Sequence, residues 1–499
     1  MRRWLWIMFP ILCVGCRVGP NYRPPEVEVP SEFTEDVPER TFDVGDDDLA
    51  GWWSRFNDPF LDHLLDLGLE QNFDYLIAME RVLQARAQFR VTFAMRLPDF
   101  EAAGTASRFR TSRSFASANA GSAAASSSSS STAAAAAAAG TVVPQIQDFF
   151  QLGLDAIWEL DLFGKFRRSA DAANDLWEAS LADMRGVKIS MISEIANTYA
   201  LICAYQGREE IEIETIAIDE ELLALARTRL DSGLNNEQEV NAIIAILENE
   251  RANLEFVQEG LKNAIYSLAI LLGELPEMVI CEFQTKRAIP DAHGQVPISV
   301  PSELLRRRPD VRSAERQLAS ATEQIGVAVA DLFPSVSLSG SSSSFAANPL
   351  QGANVGVSSD DIAKLFRPAS IVWGIGVFAT APVFDFGKRK AAVDLQISVR
   401  NQTYYSYQKV VISAFQETEQ ALQSYFHEEM RGQSLKIQAE INAKTFQLVT
   451  DLFQAGLADY SQVINAQSNW LNSLDLLIGS QQALTQDLIA VYKAIGGDW

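Results

Sequence analysis

The sequence predicts a mainly α-helical chain with a small β part, built as two tandem copies of one plan: a helix, two strands and a long antiparallel helical hairpin. Three observations predict it. Asp161-Leu162-Phe163-Gly164-Lys165-Phe166-Arg167-Arg168 returns as Phe384-Asp385-Phe386-Gly387-Lys388-Arg389-Lys390. Ser232-Gly233-Leu234 returns as Ala455-Gly456-Leu457, and Leu272-Gly273-Glu274 as Ile495-Gly496-Gly497, always at a step of 223 residues. A constant step over that distance is the mark of a duplication whose copies pack side by side. Proline is absent from 145 to 275 and from 383 onward, which leaves room for long helices. Apolar residues alternate over 148–160 and 371–380, a strand period.

Residues 1–15 read as a secretion signal. Arg2 and Arg3 form a basic start, and Trp4 to Gly15 is an apolar run shorter than the ~20 residues of a spanning helix. The run stops at Gly15-Cys16, as in a bacterial lipoprotein signal. There the Cys16 thiol takes a diacylglycerol, cleavage frees its amine for a further chain, and several chains anchor firmly. Cys13 stands where such signals commonly carry leucine, so a plain cleaved signal with a bystander cysteine is the alternative. Arg17 follows Cys16, not the aspartate that commonly retains lipoproteins in the inner membrane. Residues 16–57, rich in proline and acid, are the lipidated extended lead-in.

The first copy is 58–275. A helix starts at Asp58, carries the stripe Leu65, Leu69, Leu76, Met79 and Leu83, and runs to about Arg96 before Pro98 stops it. Phe100, Ala102 and Gly104 then alternate. Residues 114–140 are almost only serine and alanine and read as a loop. Phe150, Leu152, Leu154, Ala156 and Trp158 resume the alternation. From Lys165 to Asp231 the chain can form on the order of 100 Å of helix, too long for a compact domain unless it projects or coils with others. Gly233 suits the left-handed residue that ends a helix. Asn236 with Glu239 can form a capping box that starts the next.

A linker over 276–300 leads to the second copy, 301–499. Its first helix ends at Phe333-Pro334, and Val336, Leu338 and Gly340 alternate before a Gly/Ser/Asn-rich loop. Ile371, Trp373, Ile375, Val377 and Ala379 share one phase; Val372, Gly374, Gly376, Phe378 and Thr380 share the other. Gly456 repeats the helix end, Asp459 with Gln462 the capping box, and Leu474, Ile478, Leu484, Leu488 and Ile495 stripe the last helix. Each copy so gives two strands joined by a long polar loop, four in all. Four strands cannot close a barrel, and lipid forbids open edges. Three chains would pool twelve strands, an even number within the known range, and ~10-residue strands match a tilted crossing.

Chemistry of other kinds is missing. The net charge of −23 argues against nucleic acid. Beyond the signal, Cys203 and Cys281 allow at most one disulfide and read as plain thiols. His63, His293 and His427 are scattered, so no metal site, cofactor or catalytic residue is expected. Asp385-Phe386-Gly387 looks like the magnesium triad of protein kinases, but no glycine-rich or catalytic loop accompanies it. There is no P-loop. Arg306-Arg307-Arg308 reads as a salt-bridge cluster rather than a phosphate site.

Several segments, in order along nearly the whole chain, carry a resemblance. They are Val18-Gly19-Pro20-Asn21-Tyr22-Arg23-Pro24-Pro25, then Trp52-Trp53, Phe56 and Asp58-Pro59. The most specific is Pro301-Ser302-Glu303-Leu304-Leu305-Arg306-Arg307-Arg308-Pro309-Asp310-Val311. Ile325-Gly326-Val327-Ala328, Pro382-Val383-Phe384-Asp385-Phe386-Gly387 and Gly496-Gly497-Asp498-Trp499 complete the set. The chain resembles the TolC-like outer-membrane efflux proteins, in the lipoprotein branch typified by OprM and NodT. The resemblance implies a homotrimer with a twelve-strand barrel in outer-membrane lipid and a twelve-helix α-barrel tunnel across the periplasm. It implies outward passage of drugs, solutes or proteins, driven by an inner-membrane transporter through a periplasmic adaptor. It also implies a constriction at the tips near Gly233, Asn236, Gly456, Asp459, Gln462 and Asn465. Gln462 and Asn465 fall where acidic relatives carry aspartate. A type I protein-secretion duct and a non-conducting periplasm-spanning lipoprotein are the competing readings.

Overall fold

The computed structural model describes residues 17–25, 41–43, 51–110, 146–233, 236–290, 296–298, 307–339 and 353–497. Cys16, the Ser/Ala run 114–140, His293 and the signature residues Pro301, Ser302, Leu304 and Leu305 lie outside them. Cys203 and Cys281 are both free thiols, the first buried and the second exposed.

After a short strand β1 (Thr41–Asp43), a 3-10 turn over Trp52–Phe56 leads to α1 (Pro59–Gln71) and α2 (Phe73–Ala94). Asp58 caps α1 by accepting from the Phe60 and Leu61 amides at 3.0 and 3.3 Å. The single helix expected from Asp58 to about Arg96 is two helices. Asn72 interrupts it with an extended backbone; its side chain accepts from the Tyr75 amide at 2.9 Å and donates to the Leu271 carbonyl at 2.7 Å. A short amide that can bond its own neighbours competes with the helical ladder. The stripe is correspondingly half right: Leu65 is buried, whereas Leu76, Met79 and Leu83 are exposed.

Strands β2 (Asp99–Arg110) and β3 (Ile146–Leu160) follow, then α3 (Lys165–Asp231) and α4 (Glu237–Leu272). The expected linker 276–300 has elements of its own. It contains α5 (Pro276–Glu282) and β4 (Val296–Ile298), which pairs with β1 in parallel. The second copy gives α6 (Pro309–Ala330), β5 (Ser335–Ser339), β6 (Ala353–Ser359), β7 (Ile371–Gly374), β8 (Val377–Thr380), α7 (Lys388–Gln454) and α8 (Tyr460–Ile495). The long helices match in length between copies, 67 residues for α3 and α7 and 36 for α4 and α8.

The second copy's strands differ from the expected plan. β3 pairs β5 up to Ile157 opposite Ser339, and the next position, Ala156, already lies opposite Ala353 of β6. The polar stretch therefore interrupts one strand line rather than joining two. β8 pairs β5 and β7 pairs β6, so β7 and β8 form the next line. The sheet is four antiparallel lines in chain order: β2, β3, β5 with β6, and β7 with β8.

The chain divides into two compact units, each with segments from both copies. One, residues 1–22, 87–174 and 320–400, holds this sheet. The other, residues 23–86, 175–319 and 401–499, holds two apolar clusters. The larger gathers Trp52, Phe56, Leu64, Leu65, Ile195, Tyr199, Leu268, Leu272, Tyr492 and Ile495. Trp52 stacks on Tyr492 with ring centroids 4.8 Å apart.

Candidate functional site

Residues directly opposed on antiparallel strands share a face. The register therefore sorts the sheet into two surfaces. One carries Phe100, Leu152, Leu154, Leu338, Val355, Val357, Ile371, Trp373 and Val377. The other carries Glu101 opposite Asp155, Thr105 opposite Gln151, and Glu159 opposite Ser337, with Phe149, Ile157 and Phe378 among its apolar exceptions. Trp373, Val377 and Leu154 are 69%, 68% and 56% exposed on the single chain. An apolar band of this kind is what lipid requires, and its polar reverse suits a water-filled interior. The Arg108–Asp148 ion pair, 3.2 Å long, sits on the apolar face but near the far end of the β2–β3 ladder.

The helical hairpins end in two matched turns. Gly233 and Gly456 both have φ of +76°, the left-handed region that favours glycine. Asn236 caps α4 by accepting from the Glu239 amide at 2.9 Å. The box expected at Asp459 and Gln462 does not form in the same way. The Asp459 side chain makes no cap bond; only its carbonyl receives the Gln462 amide, at 3.0 Å. That exposed carboxylate is left to the solvent. Gln462 and Asn465 are exposed one helical turn apart, while Val463, Ala466 and Gln467 point inward.

Beneath the tips, Leu223, Ala226, Ile243, Phe453, Tyr460 and Val463 pack together. The Arg229 guanidinium lies 4.6 Å from the Phe453 ring centroid, a cation–π contact that ties α3 to α7. Gln467 donates to the fully buried Asp219 at 2.7 Å. Further along, a groove of about 630 Å³ is lined by Arg208, Glu212, Glu250, Asn253, Gln467 and Asp475. Burial, and then the neighbouring Glu250, pushes the Glu212 carboxyl up to about 7.

Of the signature, Arg307, Arg308, Pro309, Asp310 and the buried Val311 are described. Arg308 is buried and binds Asp310 at 2.8 Å, Glu417 at 2.5 Å and the Ala494 carbonyl at 3.0 Å. It joins the start of α6 to α7 and to the end of α8, a salt-bridge cluster as its sequence suggested. Sequence reasoning missed Arg168. Its guanidinium reaches Glu323 and the carbonyls of Val18, Gly19 and Pro20, holding the segment that follows Cys16. A Cβ on Gly326 would fall 2.7 Å from the Arg168 Nε, so glycine there makes the room. The signal was available: the 223-residue step places Ala391 opposite Arg168, a break in the repeat.

The model of the outer membrane efflux protein family matches residues 64–274 and 300–497. The chain belongs to this family. Nodulation protein T of Rhizobium leguminosarum bv. trifolii is 27% identical over 98% of this chain and 94% of its own. The antibiotic efflux pump outer membrane protein ArpC of Pseudomonas putida is 28% identical over 97% of this chain and 93% of its own. The solved outer-membrane channel OprN is 28% identical, covers 97% of this chain and 99% of its own, and superposes with a TM-score of 0.82. The efflux family member is therefore an outer-membrane channel protein that extends into the periplasm, in a family of channels and not of enzymes. Its sheet is the barrel part and its hairpins are the tunnel part of the family fold.

Proposed function

We propose that three copies of this chain form the exit duct of a tripartite export system, joined by a periplasmic adaptor to an inner-membrane transporter and held by acyl chains on Cys16. The observation that carries the trimer is the sheet. β2 and the β7–β8 line each have one paired edge among the described residues, and the sheet has one apolar face. Lipid does not tolerate open edges, and three such sheets supply a closed even-numbered barrel. Small molecules are the favoured cargo, because relatives across the full length are named for toluene, solvent and antibiotic efflux. The tips around Gly233, Asn236, Gly456, Asp459, Gln462 and Asn465 form the constriction in this reading.

Purified protein in detergent should weigh as three chains and should conduct ions in planar bilayers. Replacing Arg229 by serine removes the cation–π tie at the tip and should raise that conductance. A conducting monomer would contradict the trimer. A stable trimer that never conducts would favour the structural-lipoprotein reading.

A further inference from the structure

We propose that the barrel closes by repeating, between chains, a contact already made within each chain: the Phe384–Phe386 elbow of one copy docks on the Met95–Leu97 turn of the next. The inference rests on the trimeric reading above and specifies its seam.

Within the chain, the elbow that follows β3 sits on the turn that precedes β5. Phe163 stacks on Phe333 with centroids 4.7 Å apart, and Lys165 pairs with Asp331 at 2.7 Å. Beside them, Trp158 lies opposite Leu338 and Leu160 opposite Val336. Both halves of this contact occur a second time. The 223-residue step carries Phe163 to Phe386 and the start of α3 at Lys165 to the start of α7 at Lys388. A 236-residue step carries Met95-Arg96-Leu97-Pro98 to Asp331-Leu332-Phe333-Pro334.

The two turns are built alike. Leu332 and Phe333 donate to the Val329 and Ala330 carbonyls at 3.1 and 3.0 Å; Arg96 and Leu97 donate to Phe93 and Ala94 at 3.1 and 2.9 Å. A strand begins directly after each proline. Yet the apolar side chains of the second elbow and of the first turn are exposed, although the Trp158 indole donates to the Arg96 carbonyl at 3.0 Å. Phe386 is 91% exposed, Phe384 76% and Leu97 57%. Phe386 also holds a φ of +53°, unfavourable for a bulky residue and maintained only where surroundings dictate it. The chemistry has shifted in step on both sides. Met95 stands where the other turn has Asp331, and Phe384 where the other elbow has Asp161. Lys388 keeps the place of Lys165, but Met95 replaces its acid Asp331, so the ion pair has no counterpart at the seam and the apolar side chains carry the contact.

The same transfer fixes the strand register across the seam. It places Ala381 opposite Ala102 of the next copy, Ala379 opposite Gly104 and Val377 opposite Ala106. All of these positions lie on the apolar phase of their strands, a match that the two steps did not have to produce. A slip of one residue would set Val377 against Thr105 or Ser107 and turn one strand inside out.

The test uses full-length protein in outer membranes, in a Cys281→Ser background because Cys281 is exposed. Ala102→Cys with Ala381→Cys should give covalent dimers and trimers on oxidation with copper phenanthroline. Ala102→Cys with Ala379→Cys or with Val383→Cys, two positions off, should give about fivefold less, because disulfide geometry tolerates opposed but not diagonal positions. Stronger crosslinking by an offset pair overturns the register while leaving the trimer standing. Absence of crosslinks together with a monomeric mass in detergent overturns the trimer itself. Phe386→Ala should lower the temperature at which the extracted trimer dissociates, and an unchanged temperature overturns the elbow contact.

Discussion

Arg168 and Glu323 form an ion pair at 2.7 Å with side-chain exposures of 0% and 7%. Glu323 also receives Arg17 at 2.5 Å, so two cations converge on one carboxylate beside the backbone of residues 18–20. Among the described residues the arrangement has no second copy, because the repeat puts Ala391 at the place of Arg168. It holds the residues that directly follow Cys16, the proposed site of the acyl chains.

Arg168→Ala should loosen residues 18–21 and leave Arg17 as the cation on the buried Glu323. Because Glu323 keeps one cation, the cost should fall below the about 3–5 kcal/mol of a buried charge left unpaired. Limited proteolysis should cut near residues 17–25 faster than in the unaltered protein, and the urea midpoint in detergent should fall. Arg168→Lys should restore little, since an ammonium cannot present the planar fork that meets three carbonyls and a carboxylate. Full rescue by lysine would show that charge alone holds the segment.

Cys16→Ser should abolish incorporation of a lipid analogue in metabolic labelling. The variant should still assemble in the outer membrane, because the sheet's apolar band is independent of the anchor. Labelling that persists at the level of the parent protein would place the lipid on another residue.

Gln462→Asp with Asn465→Asp should increase block by trivalent cations added from the tip side. Amides carry dipoles and no net charge, whereas a ring of carboxylates binds multivalent cations. Asp459 already offers one uncapped carboxylate per chain, so block in the parent protein should be weak rather than nil. Equal block in parent and double variant would show that the ring lies elsewhere.

Stability around the acidic groove should depend on pH through Glu212. Its carboxyl rises from 4.5 to about 7 in the folded protein, mainly by burial and next by Glu250. A folded-state value above the unfolded one means that folding favours the protonated form. The contribution is full below about pH 4.5 and is lost as pH rises through about 7. Hydrogen exchange in α3 and α4 near residues 212 and 250, corrected for intrinsic rates, should therefore quicken between about pH 5.5 and 8. Glu212→Gln should flatten that difference; an unchanged slope would assign it to Asp219, whose carboxyl burial also raises.

The long helices and the turn glycines were legible because proline and glycine act locally and the duplication states each signal twice. The strands of the first copy were legible for the same kind of reason, an alternation uninterrupted from Phe150 to Trp158. What escaped detection depends on distant partners. The break at Asn72 is fixed by the Leu271 carbonyl, far along the chain. The division of one strand line into β5 and β6 is fixed by β3, which alone shows that Ser339 and Ala353 are successive rungs. At the tip, residue type lends Asn236 and Asp459 equal claims as caps, yet only the first bonds an amide with its side chain. Arg168 looked like one more charge in a basic run until Glu323 and the N-terminal carbonyls were seen around it.

The equal helix lengths of the two copies have a consequence for how such a protein can change. Deleting one residue from a helix shortens it by about 1.5 Å and turns all that follows by roughly 100°. In α3 alone, such an edit would rotate its inward-facing residues away from their neighbours while α7 kept its phase. Whole-turn edits in all four long helices would preserve both reach and phase. The length of this protein is thus a quantity written in four places, and adaptation to a wider or narrower periplasm must rewrite them together.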